Sequence, residues 1–371
     1  IVNKKKKDKE KNPNSSLNIN DFSKFYSEEF NYTDLLNLTE FVVDEKTLLC
    51  SSVTMVDAVN IAFCVLFVII FLMAIPGNLI VGWVIISHRQ LLSASDVYLF
   101  NLMLADTLMA LILPFSAFSV IHGWVFSDAA CKLVCLVKEM NFYTSILFLV
   151  CISVDRYMVI VRATESQKTQ RILCSRVACA LVWVLGLVLS LPSFYNEAYY
   201  EPVSQQTICA ERFETNHADE WRLATRIMRH LLGFLFPLVV MLVCYSMTVE
   251  RLLRTRGFQK QRAMKVIVAV VVAFLLCWTP FHVSTIIDTL LRAKVVQFSC
   301  FTRTTVDVAM FATQNLGLLH CCVNPVLYAF VGEKFRRRFL QMLQRRVLER
   351  FSFSRSSRSS SLTLEATSSF L

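Results

Sequence analysis

The chain has 371 residues, of which 55% are hydrophobic and 18% are charged, and its formal net charge is +10. A soluble domain carries about 25% charged residues, so this composition excludes disorder, a collagen-like chain and most soluble enzymes. Seven apolar runs are each long enough to cross a hydrocarbon core of about 30 Å. They are residues 56–86, 97–121, 133–154, 173–192, 227–249, 264–291 and 305–331. We therefore predict an all-α membrane protein, a seven-transmembrane helix bundle.

The charge distribution predicts the orientation of these helices, because an odd number of spans places the two chain ends on opposite sides of the membrane. Segments 87–95, 155–176, 250–265 and 332–371 together hold 21 basic and 6 acidic residues, a net charge of +15, whereas the whole chain carries +10. Cytoplasmic loops are enriched in Lys and Arg, so we expect the C-terminus inside the cell and the N-terminus outside. No basic stretch alternates with base-stacking aromatic residues, and we expect no nucleic-acid partner.

The segment before the first span has the features of an extracellular tail. Three glycosylation acceptor tripeptides begin at Asn14, Asn31 and Asn37. Residues 17–50 hold seven acidic and two basic residues, with Tyr26 and Tyr32 beside the acids, so this stretch would attract a basic partner; sulfation of these tyrosines is a further hypothesis. A solvated tail without a partner is the alternative. The lysine-rich residues 1–16 contradict the acidic stretch, and we expect them to be spurious.

Four of the thirteen cysteines are expected on the outer face, where two disulfides can form. They are Cys50, Cys131, Cys209 and Cys300. Four cysteines allow three pairings, and the sequence by itself leaves the choice open. No two of these four cysteines lie at Cys-x-x-Cys spacing with further ligands nearby, so we expect no zinc site among them.

Several polar residues lie inside the spans, where such groups are costly and usually functional. The set comprises Asn78, Asp106, Lys138, Glu139, Asn141, Ser145, Asp288, His320 and Asn324. Asn141 and Ser145 are four residues apart and share a helix face. Together with Asp106 and Asn324 they could form a cage that an allosteric sodium ion would satisfy. A hydrogen-bond network without an ion is the alternative.

Motifs of catalysis are absent from the sequence, which has no Gly-x-Ser-x-Gly, no Walker lysine and no His-Glu-x-x-His. We therefore expect no enzyme and no organic cofactor. A transporter is the stronger competitor, but paired half-sequences with matching broken helices are not evident.

Short motifs in each helix resemble those of the rhodopsin-like G-protein-coupled receptors. They are Gly77-Asn78, Asn101 to Asp106, Cys131, Asp155-Arg156-Tyr157, Trp183, Pro237 with Tyr245, Cys277-Trp278-Thr279-Pro280, and Asn324-Pro325 with Tyr328. A narrower set resembles chemokine receptors, in particular the CXC branch that includes the interleukin-8 receptors. This set comprises Leu113-Pro114-Phe115, Trp124, Lys138 to Tyr143, Glu220 to Arg226, Gln261 to Ile267, Asp288 to Arg292 and His320-Cys321-Cys322.

The resemblance implies an outer face built to bind a chemokine. It implies disulfides Cys131–Cys209 and Cys50–Cys300, and an acidic tail that docks the ligand through Tyr26, Tyr32 and Asp34. CXC chemokines of this branch carry an acidic-then-basic N-terminal motif. The bundle residues expected to contact the ligand are Trp124, Lys138, Arg222, Arg226, Asp288, Arg292 and Gln314. At Gln314 the family usually has Glu, and this departure removes one charge-charge contact.

The resemblance also implies a signalling mechanism across the bundle. The movable core would comprise Ile146, Pro237, Phe274, Trp278 and Pro280, whose simpler interpretation is ordinary core packing. Arg156, held by Asp155 beside Tyr157, would face the G protein, with Tyr245, Asn324, Pro325 and Tyr328 rearranging around it. The expected function is a plasma-membrane receptor for CXC chemokines that activates an inhibitory-class G protein and drives leukocyte chemotaxis. A non-signalling scavenger receptor or a transporter are the alternatives.

The C-terminal segment predicts three further partners. Residues 333–340 have the composition of an amphipathic helix on the lipid surface. The Ser- and Thr-rich remainder is typical of a substrate for receptor kinases that recruits arrestin, and Ser369-Phe370-Leu371 suits a PDZ domain. The predicted organisation is thus a tail of residues 1–50, a receptor domain of residues 51–331 and a cytoplasmic segment of residues 332–371.

Overall fold

The computed structural model describes residues 57–88, 92–162, 168–201, 205–213, 217–254, 258–293, 295, 299–331 and 335–344. Within these ranges it contains seven helical spans that are long and apolar enough to cross a membrane. The structure therefore confirms the seven predicted spans. The expected glycosylation sites, the acidic tail and the Ser- and Thr-rich segment lie outside the described residues.

The fifth and seventh spans are interrupted, whereas the other five are single helices. The helices are α1 Asp57–Ser87, α2 Ala94–His122, α3 Asp128–Ile160 and α4 Lys168–Leu189. The fifth span consists of α5 Ala218–His230, a π-helical turn Leu231–Leu235 and α6 Phe236–Arg254. The sixth span is α7 Phe258–Arg292, and the seventh consists of α8 Cys300–Gly317 and α9 His320–Val331. A last helix, α10, covers residues 335–344.

A short antiparallel hairpin interrupts the helical architecture between the fourth and fifth spans. A 3₁₀ turn, Leu191–Tyr195, follows α4 and leads into β1 Asn196–Glu201, which pairs with β2 Gln206–Glu211. Pro192 lies in this turn, so it ends the fourth helix and does not kink it. The hairpin was not predicted, because its six-residue strands carry no strict alternation of apolar and polar side chains.

Several helices are longer than the apolar runs that predicted them. The third run is 133–154, whereas α3 extends over Asp128–Ile160 and includes both Cys131 and Arg156. Ser127 caps this helix, since its side chain accepts a hydrogen bond from the backbone N–H of Ala130 at 3.2 Å. Charged residues end the apolar run but not the helix, because water and headgroups solvate them while the backbone bonds continue.

Two interruptions within the spans have identifiable causes. The π-helical turn in the fifth span immediately precedes Pro237, whose ring has no N–H and clashes with the carbonyl four residues earlier. A Cβ on Gly233 in that turn would lie 2.4 Å from Phe142 Cε1, so the turn packs where only glycine fits. In the seventh span the backbone N–H of Cys321 donates to Leu318 three residues back, which tightens the chain between α8 and α9.

The core of the bundle is built around the third span. α3 packs against the second, fourth, fifth and sixth spans, and it contributes the fully buried side chains of Tyr143, Ile146 and Phe148. The face of α10 that carries Phe335 and Met342 turns towards the bundle, whereas Arg336 and Arg337 are exposed. This arrangement is the predicted amphipathic helix.

Candidate functional sites

The two ends of the bundle carry different chemistry. The end that holds the Cys131–Cys209 disulfide is called the disulfide end, and the end that holds Arg156 is called the tail end. The disulfide joins α3 to β2 with 5.7 Å between the Cα atoms, which is the pairing that the resemblance implies. Cys300 is also disulfide-bonded; its expected partner Cys50 lies outside the described residues.

The hairpin is attached to the N-terminal end of α3 by a hydrogen bond as well as by the disulfide. The backbone N–H of Ala198 donates to Asp128 Oδ1 at 3.0 Å. Burial raises the pKa of the Tyr199 phenol, so this side chain stays neutral near pH 7, and Arg212 lies 5.4 Å from its ring centroid. The hairpin is thus a fixed wall of the disulfide end.

Trp124 has a structural position. Its side chain is buried, its indole N–H donates to the Ser127 carbonyl at 3.2 Å, and its backbone N–H donates to the Thr207 carbonyl at 2.6 Å. The backbone of Trp124 thus joins the loop before α3 to β2, and its ring packs against Phe126. A direct contact of Trp124 with the ligand stays a prediction.

An arginine cluster surrounds Asp288 at the disulfide end. Arg226 of α5 donates to Asp288 Oδ2 at 2.6 Å, Arg292 donates to the same oxygen at 2.9 Å, and Arg303 of α8 donates to Oδ1 at 2.8 Å. The Asp288 side chain is fully buried, so one carboxylate joins the fifth, sixth and seventh spans. Arg303 also pairs with the half-exposed Asp307 at 2.8 Å.

The cluster shows which protein groups contact Asp288, and it carries an excess of positive charge; a ligand contact of Asp288 stays a prediction. Three guanidinium groups already occupy its carboxylate. With three arginines against Asp288 and Asp307, the cluster has a net charge of +1. Arg303 was missed from the sequence because it lies 15 residues from Asp288 and on a different helix. Its spacing of four from Asp307 was the available signal.

Lys138 is the sequence neighbour of Glu139, which belongs to a second group of charges contributed by α3, α5 and β2. Glu139 accepts hydrogen bonds from Arg229 at 2.7 and 3.3 Å, and Glu211 of β2 lies 3.6 Å from the same guanidinium. Lys138 is half-buried, and among the described residues it makes no ion pair. A cation held in a partly desolvated position without a carboxylate favours an anionic ligand group there.

The other expected ligand residues are placed as follows. Arg222 lies on α5 one turn before Arg226, with its guanidinium 5.9 Å from the Phe213 ring centroid. Gln314 is exposed on α8. The structure thus brings Arg226, Asp288 and Arg292 together, whereas Tyr26, Tyr32 and Asp34 lie outside the described residues.

A polar cluster occupies the middle of the bundle around Asp106, which is fully buried. Asn324 donates to its Oδ2 at 2.8 Å, while Asn141 and Ser145 donate to its Oδ1 at 3.2 and 3.4 Å. The four residues predicted as a cage are therefore in contact. The carboxylate and hydroxyl oxygens of this set fit a sodium ion chemically, and sodium binding stays a prediction. His320 also approaches Asp106, at 3.7 Å.

Aromatic rings pack next to this polar cluster, around Trp278. Trp278 packs 4.7 Å from Phe142 and 5.7 Å from His320 between ring centroids, and its buried indole N–H has no partner among the described residues. A Cβ on Gly317 would lie 3.0 Å from the Trp278 ring. Ile146, Pro237 and Phe274 are buried nearby, and Pro280 lies inside α7. The packing is that of a core; a switching role for these residues stays a prediction.

At the tail end, Arg156 contacts Ser95 of α2 as well as its sequence neighbour Asp155. Arg156 Nη2 lies 3.7 Å from Asp155 Oδ2 and also donates to Ser95 Oγ. Asp155 itself accepts from Ser95 at 2.6 Å and from Arg171 of α4 at 2.6 Å. Sequence reasoning named Asp155 but missed Ser95 and Arg171, because both contacts come from other helices.

The surroundings of this group are also polar. Tyr245 of α6 lies 2.7 Å from Ser153 Oγ on α3. Arg338 of α10 lies 3.5 Å from Asp96, which closes the capping box at the start of α2. Tyr157 is half-buried, and the side chain of Tyr328 lies outside the described residues. The second, third, fourth and fifth spans and α10 therefore all contribute polar side chains to the tail end.

Comparison with known proteins identifies the class. Residues 77–328 match the family model of the 7 transmembrane receptor (rhodopsin family). The chain therefore belongs to the rhodopsin family of seven-transmembrane receptors, a class of multi-pass plasma-membrane receptors and not of enzymes.

Individual relatives narrow this assignment. The chain is 45% identical to C-X-C chemokine receptor type 1 of Oryctolagus cuniculus over 82% of this chain and 85% of the relative. It is 46% identical to the human type 1 receptor over 75% of this chain and 79% of the relative. It is 40% identical to the type 2 receptor of Oryctolagus cuniculus over 87% and 88%. These similarities place the chain on the C-X-C chemokine receptor branch.

Proposed function

We propose that the chain is a cell-surface receptor that binds a CXC chemokine at the disulfide end and activates a heterotrimeric G protein of the inhibitory class at the tail end, driving leukocyte chemotaxis. The observation that carries the ligand part is the cationic character of the disulfide end. Lys138 has no carboxylate partner among the described residues, and the arginine cluster has an excess positive charge.

This charge pattern suits a ligand whose N-terminus carries an acidic group followed by a basic one. An acidic side chain would pair with Lys138 or with the half-exposed Arg292, since a partly desolvated cation gains most from a carboxylate. Arg222 and Gln314 would bind the adjoining part of the ligand. The acidic residues 17–50 would steer the basic body of the chemokine through Tyr26, Tyr32 and Asp34.

The orientation follows from the same proposal. The disulfide end faces the extracellular side, where disulfides persist, and the basic tail end faces the cytoplasm. The N-terminal tail is then extracellular, and Asn14, Asn31 and Asn37 are open to glycosylation. Receptor kinases, arrestin and a PDZ protein would bind the C-terminal segment, which lies outside the described residues.

The contacts at the tail end favour a signalling receptor over a non-signalling scavenger receptor. Arg156 is restrained by Ser95 and Asp155, and Asp155 is shared with Arg171. Release of the Arg156 guanidinium from its two polar partners is a two-state change that a G protein can stabilise. A scavenger has no need of this restraint, and a transporter would have to show substrate flux in proteoliposomes.

The ligand site is tested by replacing Lys138 with glutamine. A charge-assisted hydrogen bond contributes about 1.5–3 kcal/mol, so agonist potency should fall about ten-fold or more. Lys132→Gln is the matched control, because Lys132 lies on the same helix but is already paired with Asp128 at 2.8 Å. Radioligand displacement by a panel of CXC chemokines measures both variants. Equal potency of the two variants would refute the role of Lys138.

A further inference from the structure

The break in the seventh span places two further potential metal ligands beside Asp106. His320 and Cys321 begin α9, and both side chains are fully buried together with Asp106. His320 Nε2 lies 3.7 Å from Asp106 Oδ1 and 3.7 Å from Cys321 Sγ. All three potential ligand atoms lie within 4.8 Å of one another.

The backbone of the break fixes which nitrogen of His320 faces this group. Because the N–H of Cys321 donates to Leu318, the Gly317 carbonyl is left to accept a hydrogen bond from His320 Nδ1 at 2.7 Å. The Nδ1 atom therefore carries the proton, and Nε2 presents a lone pair. A second hydrogen bond from a ligating histidine to a backbone carbonyl is the usual support of a metal ligand.

Two acceptors of the group compete for one hydrogen. His320 Nε2 and Asn141 Oδ1 both lie within hydrogen-bonding reach of Cys321, which has a single S–H. The Asp106 carboxylate already accepts hydrogen bonds from Asn324, Asn141 and Ser145. The Nε2 lone pair also faces the carboxylate oxygen directly. In a fully buried site such an arrangement is costly unless a cation lies between the acceptors.

We propose that Asp106, His320 and Cys321 form a binding site for a divalent zinc ion. Tetrahedral coordination with the usual bond lengths places nitrogen and oxygen about 3.4 Å apart and sulfur and nitrogen about 3.6 Å apart. Both separations in the structure are 3.7 Å. Zinc deprotonates a coordinating thiol, so the ion, the carboxylate and the thiolate together are neutral. A water or Asn141 Oδ1 completes the coordination.

The donor set distinguishes zinc from the predicted sodium ion. Sodium takes oxygen ligands, which here come from Asp106, Asn141 and Ser145, whereas imidazole and thiolate favour zinc. The zinc site is independent of chemokine recognition. By joining α2 to the break in the seventh span, it would hold these elements in one arrangement and act as an allosteric lock.

The test compares the whole receptor with Cys321→Ser, His320→Asn and the control Cys322→Ser. Cys322 is the adjacent buried cysteine, but its Sγ lies 3.1 Å from the Leu319 carbonyl and outside the three-ligand group. Each protein is expressed in zinc-supplemented medium and purified in detergent without chelator. Zinc per receptor is measured by mass spectrometry, and cobalt substitution reports sulfur ligation through its charge-transfer absorption. Thermal midpoints are recorded with added Zn²⁺ and Na⁺.

The wild type and Cys322→Ser are expected to retain about one zinc ion each and to show the cobalt–sulfur band. Cys321→Ser and His320→Asn should lose roughly ten-fold or more of the zinc affinity. Equal zinc retention by Cys321→Ser overturns the proposal. The proposal is also overturned if the wild type holds no zinc. In that case a thermal midpoint that rises with Na⁺ alone indicates a sodium site, and a midpoint that changes with neither ion indicates a cluster held together by a shared proton. These wild-type measurements decide the question even if a variant fails to fold.

Discussion

Replacing Asp288 with asparagine should destabilise the receptor, because one buried carboxylate compensates three arginines. Its oxygens lie 2.6, 2.9 and 2.8 Å from the nitrogens of Arg226, Arg292 and Arg303. At an effective dielectric constant of about 20, each such pair contributes about 4 kcal/mol of Coulomb energy before desolvation. Removing one partner of a buried pair costs about 3–5 kcal/mol.

The solvent exposure of the arginines decides where the cost of Asp288→Asn falls within the range of about 3–5 kcal/mol. Arg226 keeps 10% of its side chain exposed and must remain charged in a nearly dry position, whereas Arg292 keeps 36% and can turn to water. We therefore expect a loss of about 3 kcal/mol for Asp288→Asn. The matched control is Asp307→Asn, since Asp307 is 46% exposed and pairs only with Arg303 among the described residues; its loss should stay below about 1 kcal/mol.

Thermal unfolding of the purified variants, followed by intrinsic fluorescence, measures the difference between them. A three-fold or larger ratio of the two losses is expected from the magnitudes above. If Asp288→Asn unfolds with the same midpoint as Asp307→Asn, the arginine cluster does not hold the three spans together, and its excess charge would have to be explained by the ligand alone.

Three further variants test the π-helical turn and the disulfide. Gly233→Ala places a Cβ 2.4 Å from Phe142 Cε1, so thermal unfolding should show a loss of about 1–3 kcal/mol; an unchanged midpoint would mean that the π-helical turn shifts freely. Cys131→Ser should be less damaging than the double variant with Cys135→Ser, because Cys135 Sγ lies 3.7 Å from Cys209 Sγ and can replace the lost partner in an oxidising compartment. The double variant should lose about 2–5 kcal/mol, and equal midpoints of the single and double variants would exclude this replacement.

The sequence predicted the parts of the fold that depend on composition. Seven apolar runs gave the seven spans, and charge counts gave a proposed orientation. The ends of α3 and α5 were underestimated, because a charge stops an apolar run without stopping the backbone hydrogen bonds of a helix. The hairpin that carries Cys209 was missed, since a six-residue pair of strands held by a disulfide needs no strong sequence pattern.

Of the two polar clusters inside the spans, the sequence predicted the one around Asp106 but not the one around Asp288. Asp106, Asn141, Ser145 and Asn324 were grouped correctly, because intramembrane polar groups must satisfy one another. Asp288 was assigned to the ligand, because the sequence does not indicate that Arg303 folds back onto it. The position of Cys321 beside Asp106 depends on the break after Gly317. No proline or charged residue at positions 317–319 predicts that break.

The central claim is that ligand binding at the disulfide end changes the restraint on Arg156 at the tail end. Its most direct measurement is chemokine-stimulated nucleotide exchange on an inhibitory-class G protein, with bound chemokine quantified on the same membranes. The wild type should bind a CXC chemokine and accelerate exchange, and Arg156→Ala should bind it equally but leave exchange at the basal rate. Binding without accelerated exchange in the wild type, or full exchange in Arg156→Ala, would contradict the claim.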